Sequence, residues 1–149
     1  MYSYLRNILI LLLLILSTSS VLAQVVDIKL NCQISLTTNY SNGVVEKRQT
    51  TELIEVRQIH SYLSIFANSD NVANVSTEAT SKGFTVLNLS DQNKWDLAIE
   101  KTGYMSQIII DRNTAQIFHK LSFQDPKVGS LRTQGSGNCE KVNTDKKLF

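Results

Sequence analysis

Strict alternation of apolar and polar residues near the N-terminus constrains the fold of this chain more than any other feature. From Asp27 to Thr37 the sequence reads DIKLNCQISLT, with an apolar side chain at every second position. Successive side chains of a β-strand point to opposite faces of a sheet. The alternation therefore predicts a long strand with one face in a core and the other in water.

The chain after this strand contains many short apolar runs that are separated by turn-forming residues. Asn42-Gly43 accepts the positive φ angles of a tight hairpin, so the chain is expected to turn back there. Turn formers also occupy each gap between the later runs. These runs, each predicted to be a strand, cover residues 84–89, 95–101, 104–111, 115–123 and 131–142.

Three segments are less regular. Residues 52–67 fit either one face of a helix or two short strands, and their β-branched residues favour strands. Residues 68–83 are mainly Asn, Ser, Thr, Asp and Ala, which predicts a loop with a short edge strand from Val72 to Val75. Gly135-Ser136-Gly137 interrupts the last strand, where it favours a bulge.

Together these elements predict an all-β fold, a small antiparallel β-barrel or two-sheet sandwich of about seven or eight strands. Helical crossovers are missing, so the strands are expected to be antiparallel. The alternation and strand spacing fit both a barrel and a sandwich. A barrel is favoured because pairing of the first strand with the last would bring Cys32 close to Cys139 and remove two exposed edges.

The first 23 residues have the pattern of a secretory signal peptide. Arg6 precedes an uninterrupted run of Ile and Leu from Ile8 to Leu16, and Val-Leu-Ala ends at Ala23. We expect cleavage between Ala23 and Gln24. The apolar run is much shorter than the roughly 20 residues needed to span a bilayer, so no membrane insertion is expected after cleavage. Residues 24–149 should then form one domain with a short basic tail at 143–149, located in the periplasm or secreted.

The chain has two cysteines, Cys32 and Cys139, one near each end. An even count in an exported protein favours a disulfide. Closure of a loop of about 100 residues would remove roughly 4 to 5 kcal/mol of conformational freedom from the unfolded state. Free thiols or metal ligands are the alternatives, but neither cysteine has a second Cys or a His at ligand spacing. No metal site and no cofactor are expected.

Charge and motifs narrow the possible functions. Lys and Arg total 15 and Asp and Glu total 13, a near balance with no basic stripe, which argues against a nucleic-acid partner. No phosphate-binding, zinc-protease, calcium-loop or nucleophile-elbow motif is present. A hydrolase could still use one of the two isolated histidines, His60 or His119. His119 lies mid-strand, and a cross-strand hydrogen bond is the simpler interpretation.

Other residues that could carry chemistry have a simpler structural interpretation. Asp96 and Glu100 are expected on one face of a strand but about 13 Å apart, beyond the spacing of a glycosidase pair. Asp111-Arg112 fits turn chemistry better than a ligand clamp. Trp95, the only tryptophan, fits a core position better than an interface anchor. The sequence therefore predicts no catalytic residues.

Residues at two places resemble a known group of proteins. Ile109 to Thr114 (IIDRNT) lies at a predicted hairpin, and Gly137 to Lys141 (GNCEK) precedes a basic tail that ends in Phe149. This C-terminal third resembles uncharacterised small exported β-rich proteins of Gram-negative bacteria. That resemblance implies export and a β-rich fold but no activity. These proteins often have Gly where Ala115 stands, which leaves the turn geometry open.

A second resemblance concerns size and cysteine placement, which are similar to those of periplasmic lysozyme inhibitors. The chain lacks the Ser-Gly loop followed by Tyr that such inhibitors insert into the enzyme.

Because the sequence predicts an exported β scaffold and no catalytic residues, we expect a non-enzymatic periplasmic β domain that binds a small ligand, an envelope component or a protein. The alternatives are a hydrolase with an unrecognised site, an inhibitor of a hydrolase such as lysozyme, and a structural role in the envelope.

Overall fold

The computed structural model describes residues 25–127 and 129–142. The described chain forms one antiparallel sheet of nine strands, in the spatial order β4-β3-β2-β1-β9-β8-β7-β6-β5. The strands are β1 (Val26–Tyr40), β2 (Val45–Ile59), β3 (Tyr62–Ala67), β4 (Val75–Ser76), β5 (Thr85–Asn88), β6 (Lys94–Lys101), β7 (Tyr104–Asp111), β8 (Gln116–Asp125) and β9 (Gly129–Lys141).

The sheet curls into a nearly closed barrel. The first and last strands, β1 and β9, pair as the sequence predicts. They lie in the middle of the sheet, however, so the expectation that their pairing removes the exposed edges is wrong. Its two edges are the shortest strands, β4 and β5, and a 3₁₀ helix (Thr77–Lys82) leads from one edge towards the other. Contacts of β4 with β6 and β7, and of the helix with β5, cover this seam. Short, covered edges offer little backbone to a foreign strand.

The all-β antiparallel class is confirmed, whereas the strand count of seven or eight is too low. The count reaches nine only when the two-residue edge strand β4 is included. The ambiguous segment 52–67 is indeed strand, because Ile54 and Val56 continue the alternation of β2 into the interior. The predicted edge strand at Val72–Val75 is wrong in position: the strand starts at Val75, and Val72 is a buried loop residue.

The barrel interior is filled by one continuous apolar core. Its buried members from β1 and β2 fall on every second residue, as alternation requires. On β6 the residues from Trp95 to Ile99 are all buried, because both faces of that strand are covered. The fully buried large apolar side chains are Ile34, Ile54, Val56, Leu63, Ile65, Val72, Leu97, Ile108, Ile110 and Ile117.

Cys32 and Cys139 form the predicted disulfide. They are directly opposite each other in the β1–β9 register, with their Cα atoms 3.9 Å apart. Both side chains point into the core, where Cys32 is fully buried. The bond therefore joins the first strand to the last, 107 positions apart in sequence.

The predicted bulge at Gly135-Ser136-Gly137 is wrong. Both β1–β9 and β8–β9 keep an uninterrupted register through these residues. A Cβ atom at Gly137 would overlap the carbonyl oxygen of Gln33, and one at Gly135 would press on the side chain of Leu36. The two glycines serve close approach of β1 to β9 rather than a change of register.

The turn before β8 keeps a geometry that glycine favours although alanine occupies it. Ala115 has a φ of 56°, a left-handed conformation that non-glycine residues adopt at a cost. Its amide donates to the carbonyl of Asp111 and its carbonyl accepts from the amide of Cys139. These two hydrogen bonds hold the left-handed residue in place.

Candidate functional site

A groove of about 790 Å³ crosses the outer face of four neighbouring strands, β2, β1, β9 and β8. We call it the outer groove. The registers of three strand pairs place outward side chains opposite one another, so that they form two adjacent rows across the sheet. These two rows line the groove. The first row is Gln49, Ser35, Ser136 and Phe118, and the second is Thr51, Gln33, Asn138 and Gln116.

The alternation of β1 explains why these side chains face outward. Cys32 and Ile34 are buried in the core, so their neighbours Gln33 and Ser35 must point away from it. The same rule applies on β8, where Ile117 and His119 are buried and Phe118 is exposed. The groove therefore lies on the solvent-facing side of the sheet, the side to which the alternation of β1 assigns Gln33 and Ser35.

The outer groove contains no charged side chain. Seven of the eight side chains in its two rows are amides or hydroxyls, and all seven are exposed. None of these seven side chains forms a hydrogen bond with another side chain or with the backbone of the described residues. Each amide or hydroxyl both donates and accepts hydrogen bonds. The groove therefore offers a dense array of free, neutral hydrogen-bonding groups.

Phe118 is the one apolar side chain in the two rows, and it is 45% exposed. It ends the first row, next to Ser136 on β9 and Ile109 on β7. An exposed aromatic ring is an available apolar contact surface. The groove therefore offers an apolar contact at one end of the first row and polar contacts along the rest of that row.

Charges lie outside the two rows. The next row across the same strands begins with Lys47 and ends with Lys120, while Glu140 lies beyond Asn138 on β9. Further towards the N-terminus of β1, Lys29 pairs with Glu55 at 2.7 Å. This hydrogen bond from the ammonium lowers the pKa of the Glu55 carboxyl. The two uncharged rows of the outer groove are therefore bordered by charged residues.

A second depression of about 380 Å³ lies on the outer face of the other half of the sheet. Glu100, Lys101 and the turn at Thr102-Gly103 contribute to its lining. The ammonium of Lys101 lies 5.4 Å from the centre of the Phe84 ring, so this cation is engaged in an aromatic contact. The depression is smaller than the outer groove and contains charge.

The loop between β3 and β4 inserts one side chain into the barrel core. Residues 68–74, here called the interior loop, connect β3 to β4 and place Val72 in the core. Asn68 and Asn74 fix its two ends, because their side-chain carbonyls accept the amides of Leu53 and Ala67. The loop is therefore anchored at both ends and contributes Val72 to the core, while its other residues are half-buried or exposed.

Two buried polar side chains from different strands hold the interior loop. Glu52 on β2 accepts hydrogen bonds from Ser69 at 2.7 and 2.8 Å and from Asn71 at 3.0 Å. His119 on β8 accepts the amide of Ala73 at Nε2, 3.4 Å away. The predicted cross-strand role of His119 is therefore wrong: its partner is in the loop, not in the adjacent strand.

The two histidines lie in different environments. His119 is 1% exposed, its Nδ1 has no hydrogen-bond partner among the described residues, and burial lowers its pKa to about 4. His60 is exposed at the β2–β3 turn, with a φ of 54°. Neither imidazole hydrogen-bonds to a nucleophilic side chain in the described residues. Ala23 and Gln24, the predicted cleavage position, lie outside the described residues, as does the tail at 143–149.

The remaining sequence candidates have structural partners. Asp96 is 3% exposed and accepts hydrogen bonds from Lys94 at 2.7 Å and Gln107 at 2.8 Å, whereas Glu100 is exposed. The Asp96 carboxylate raises the pKa of Lys94. Asp96 is thus a satisfied buried carboxylate, and it has no contact with Glu100.

Trp95 and the Asp111-Arg112 pair also have structural roles. Trp95 is 5% exposed, and its indole N–H donates to Gln58 across the barrel at 3.2 Å. The Arg112 guanidinium lies 4.7 Å from the Trp95 ring centre. Asp111 accepts the amides of Asn113 and Thr114, which lowers its pKa. Asp111 therefore stabilises the turn, and Arg112 covers the ring of a core aromatic residue.

Within residues 25–127 and 129–142, no cluster of three or more His, Cys, Asp or Glu side chains is placed to hold a metal ion. No helix in the same ranges is long and apolar enough to cross a bilayer.

Sequence reasoning did not find the outer groove. Its residues are ordinary polar residues of four strands that are far apart in the chain, and only the registers bring them together. A weak signal is that the outward positions from Asn31 to Asn39 on β1 are all uncharged. Comparison with known protein families, with curated proteins and with solved structures finds no match to this chain.

Proposed function

We propose that this chain is a non-enzymatic, exported binding domain and that the outer groove holds its ligand. The single observation that carries the proposal is the groove itself: a large depression whose polar side chains are uncharged, exposed and without partners in the described chain. The signal-like leader and the disulfide support export.

The lining indicates an uncharged, polar ligand. Without a charge in the groove, an ionic ligand would lose hydration and gain no opposite charge in return. Hydroxyl and amide groups can replace the water that a neutral polar ligand leaves behind. Phe118 would add one apolar contact. A small molecule, an envelope polymer or a neutral protein segment meets these requirements.

The alternative of a hydrolase gains no support from the described residues. The buried imidazole of His119 is already bonded to the interior loop, and His60 stands alone at a turn. General base catalysis requires an imidazole within hydrogen-bond reach of a nucleophile. The hypothesis of a lysozyme inhibitor likewise has no observation of its own in this structure.

Thermal unfolding of the processed protein in the presence of fractionated envelope material tests the proposal. A ligand that binds only the folded state stabilises it by RT ln(1 + [L]/Kd), so the unfolding temperature rises with the ligand concentration. We expect at least one fraction to raise it for the native protein and to have much less effect on Gln116→Ala and Phe118→Ala.

Matched controls come from the same molecule. Gln124 is exposed on the same face of β8 as Gln116, and Phe66 on β3 is 38% exposed, close to the value for Phe118. Gln124→Ala and Phe66→Ala should keep the shift. If no fraction shifts the native protein, or if groove and control variants respond alike, the proposal is wrong.

A further inference from the structure

The outer groove combines two kinds of contact surface that face one ligand. Seven donor-acceptor side chains form the two rows, and the exposed ring of Phe118 ends one of them. A sugar ring presents the complementary surfaces: hydroxyl groups around its edge and an apolar patch of C–H bonds on its face. We infer that the ligand of the outer groove is a neutral oligosaccharide. This inference rests on the proposed function.

The hydrogen-bonding groups match sugar hydroxyls in kind. Each hydroxyl of a sugar is both a donor and an acceptor, and so are the side chains of Gln33, Gln116 and Asn138 as well as those of Ser35 and Ser136. A groove lined by carboxylates or ammonium groups would instead favour one sign of ligand charge. The mixture of amides and hydroxyls suits an uncharged polyol.

Phe118 supplies the contact that a hydroxyl-only surface lacks. Phe118 is 45% exposed although Ile117 beside it is completely buried. Aromatic rings bring a large apolar surface with few rotatable bonds, so ordering them on binding costs little. Stacking of a sugar face on this ring would remove apolar surface of both partners from water.

The dimensions favour more than one sugar ring. Four strands at about 4.8 Å spacing make the rows roughly 14 Å long, and the two rows are about 7 Å apart along the strands. A single ring would leave most of the donors and acceptors unused. A short unbranched oligosaccharide lying across the strands can contact Phe118 at one end and Gln49 or Thr51 at the other.

A peptide or an acidic glycan fits less well. Peptides commonly bind by adding a strand to a sheet edge, but the edges here are the short strands β4 and β5, away from the groove. An acidic glycan would find no cation in the two rows, since Lys47 and Lys120 lie in the neighbouring row. Its binding would depend strongly on salt.

Titration calorimetry of the processed protein with defined carbohydrates tests the inference. The probes are short neutral glucose and N-acetylglucosamine oligomers, their monosaccharides, a uronic-acid oligomer and an uncharged peptide of similar size. We expect a neutral oligomer to bind, its monosaccharide to bind more weakly, and added salt to leave the affinity unchanged. Phe118→Ala should weaken binding by about tenfold or more, whereas Phe66→Ala should not.

The outcomes separate this inference from the proposed function. If no neutral oligomer binds while an envelope fraction still stabilises the native protein and not Phe118→Ala, the carbohydrate inference is wrong and the binding groove stands. Preference for the peptide or for the uronic-acid oligomer would also overturn the inference. If neither carbohydrates nor envelope fractions respond to the groove variants, both proposals are wrong.

Discussion

The imidazole of His119 on β8 accepts the backbone amide of Ala73, 3.4 Å away in the interior loop. This contact joins β8 to the loop that follows β3, although the two are far apart in the chain. Because Nε2 acts as the acceptor and the ring is 1% exposed, His119 is neutral in the folded protein. Burial lowers its pKa from 6.5 to about 4.

The first prediction concerns pH. Unfolded chains bind a proton at this histidine below about pH 6.5, and the folded protein does so only near pH 4, so stability is lost as the pH falls through that window. The full loss from His119 is about 3 kcal/mol. We expect urea unfolding of His119→Gln, which keeps an acceptor but does not titrate, to depend much less on pH between these limits. Parallel curves for the two proteins would contradict the assignment.

The second prediction concerns Glu52. Its carboxylate is fully buried, and Ser69 and Asn71 of the interior loop donate to it. Glu52→Ala leaves these donors without their acceptor and should cost about 3 kcal/mol of unfolding free energy. It should also speed proteolysis within residues 68–74.

Glu55→Ala on the same strand is the matched control for Glu52→Ala. Glu55 makes an exposed ion pair with Lys29, and such pairs contribute at most about 1 kcal/mol. Denaturant unfolding and limited proteolysis of both variants give the comparison. Equal losses, or a loop no more sensitive to protease in Glu52→Ala, would show that Glu52 does not hold the loop.

The third prediction compares two glycines of β9. A methyl group at Gly137 meets the backbone of Gln33 and Ile34, which cannot move without breaking the β1–β9 pairing. At Gly135 it meets mainly the flexible end of Leu36. We expect Gly137→Ala to cost more than about 3 kcal/mol and Gly135→Ala about 1 to 2 kcal/mol. Similar melting temperatures for the two variants would refute this explanation of the close approach.

The fourth prediction concerns the disulfide. Cys32→Ala with Cys139→Ala removes the link between strands that are 107 positions apart in the chain. The double variant should lose about 4 kcal/mol of stability, measured by denaturant unfolding. Its circular dichroism spectrum should stay that of a β protein, because the β1–β9 register continues on both sides of the bond. An unchanged unfolding free energy would contradict the prediction.

The sequence was informative where local alternation decides the structure. The period-two pattern of β1 predicted which of its residues enter the core, and the exported character favoured the pairing of Cys32 with Cys139. The class and the meeting of the first and last strands follow from these two features.

The sequence misled where a long-range contact decides. Val72 is an isolated apolar residue in a polar segment, and its apolar character was assigned to an edge strand although its loop enters the core. Gly135 and Gly137 suggested a bulge because their neighbour across the sheet, β1, is remote in the chain. The outer groove was not predicted for the same reason, since Gln33 and Asn138 become neighbours only through the β1–β9 register.

The most direct test of the binding groove is an NMR titration of isotope-labelled protein with the material that stabilises it. Amide shifts should change most along the two rows, at Gln33, Ser35, Ser136, Asn138 and Phe118, with little change at Asn68–Asn74. Changes concentrated in the interior loop or in the depression around Lys101, with the two rows unaffected, would contradict the assignment of the outer groove as the binding site.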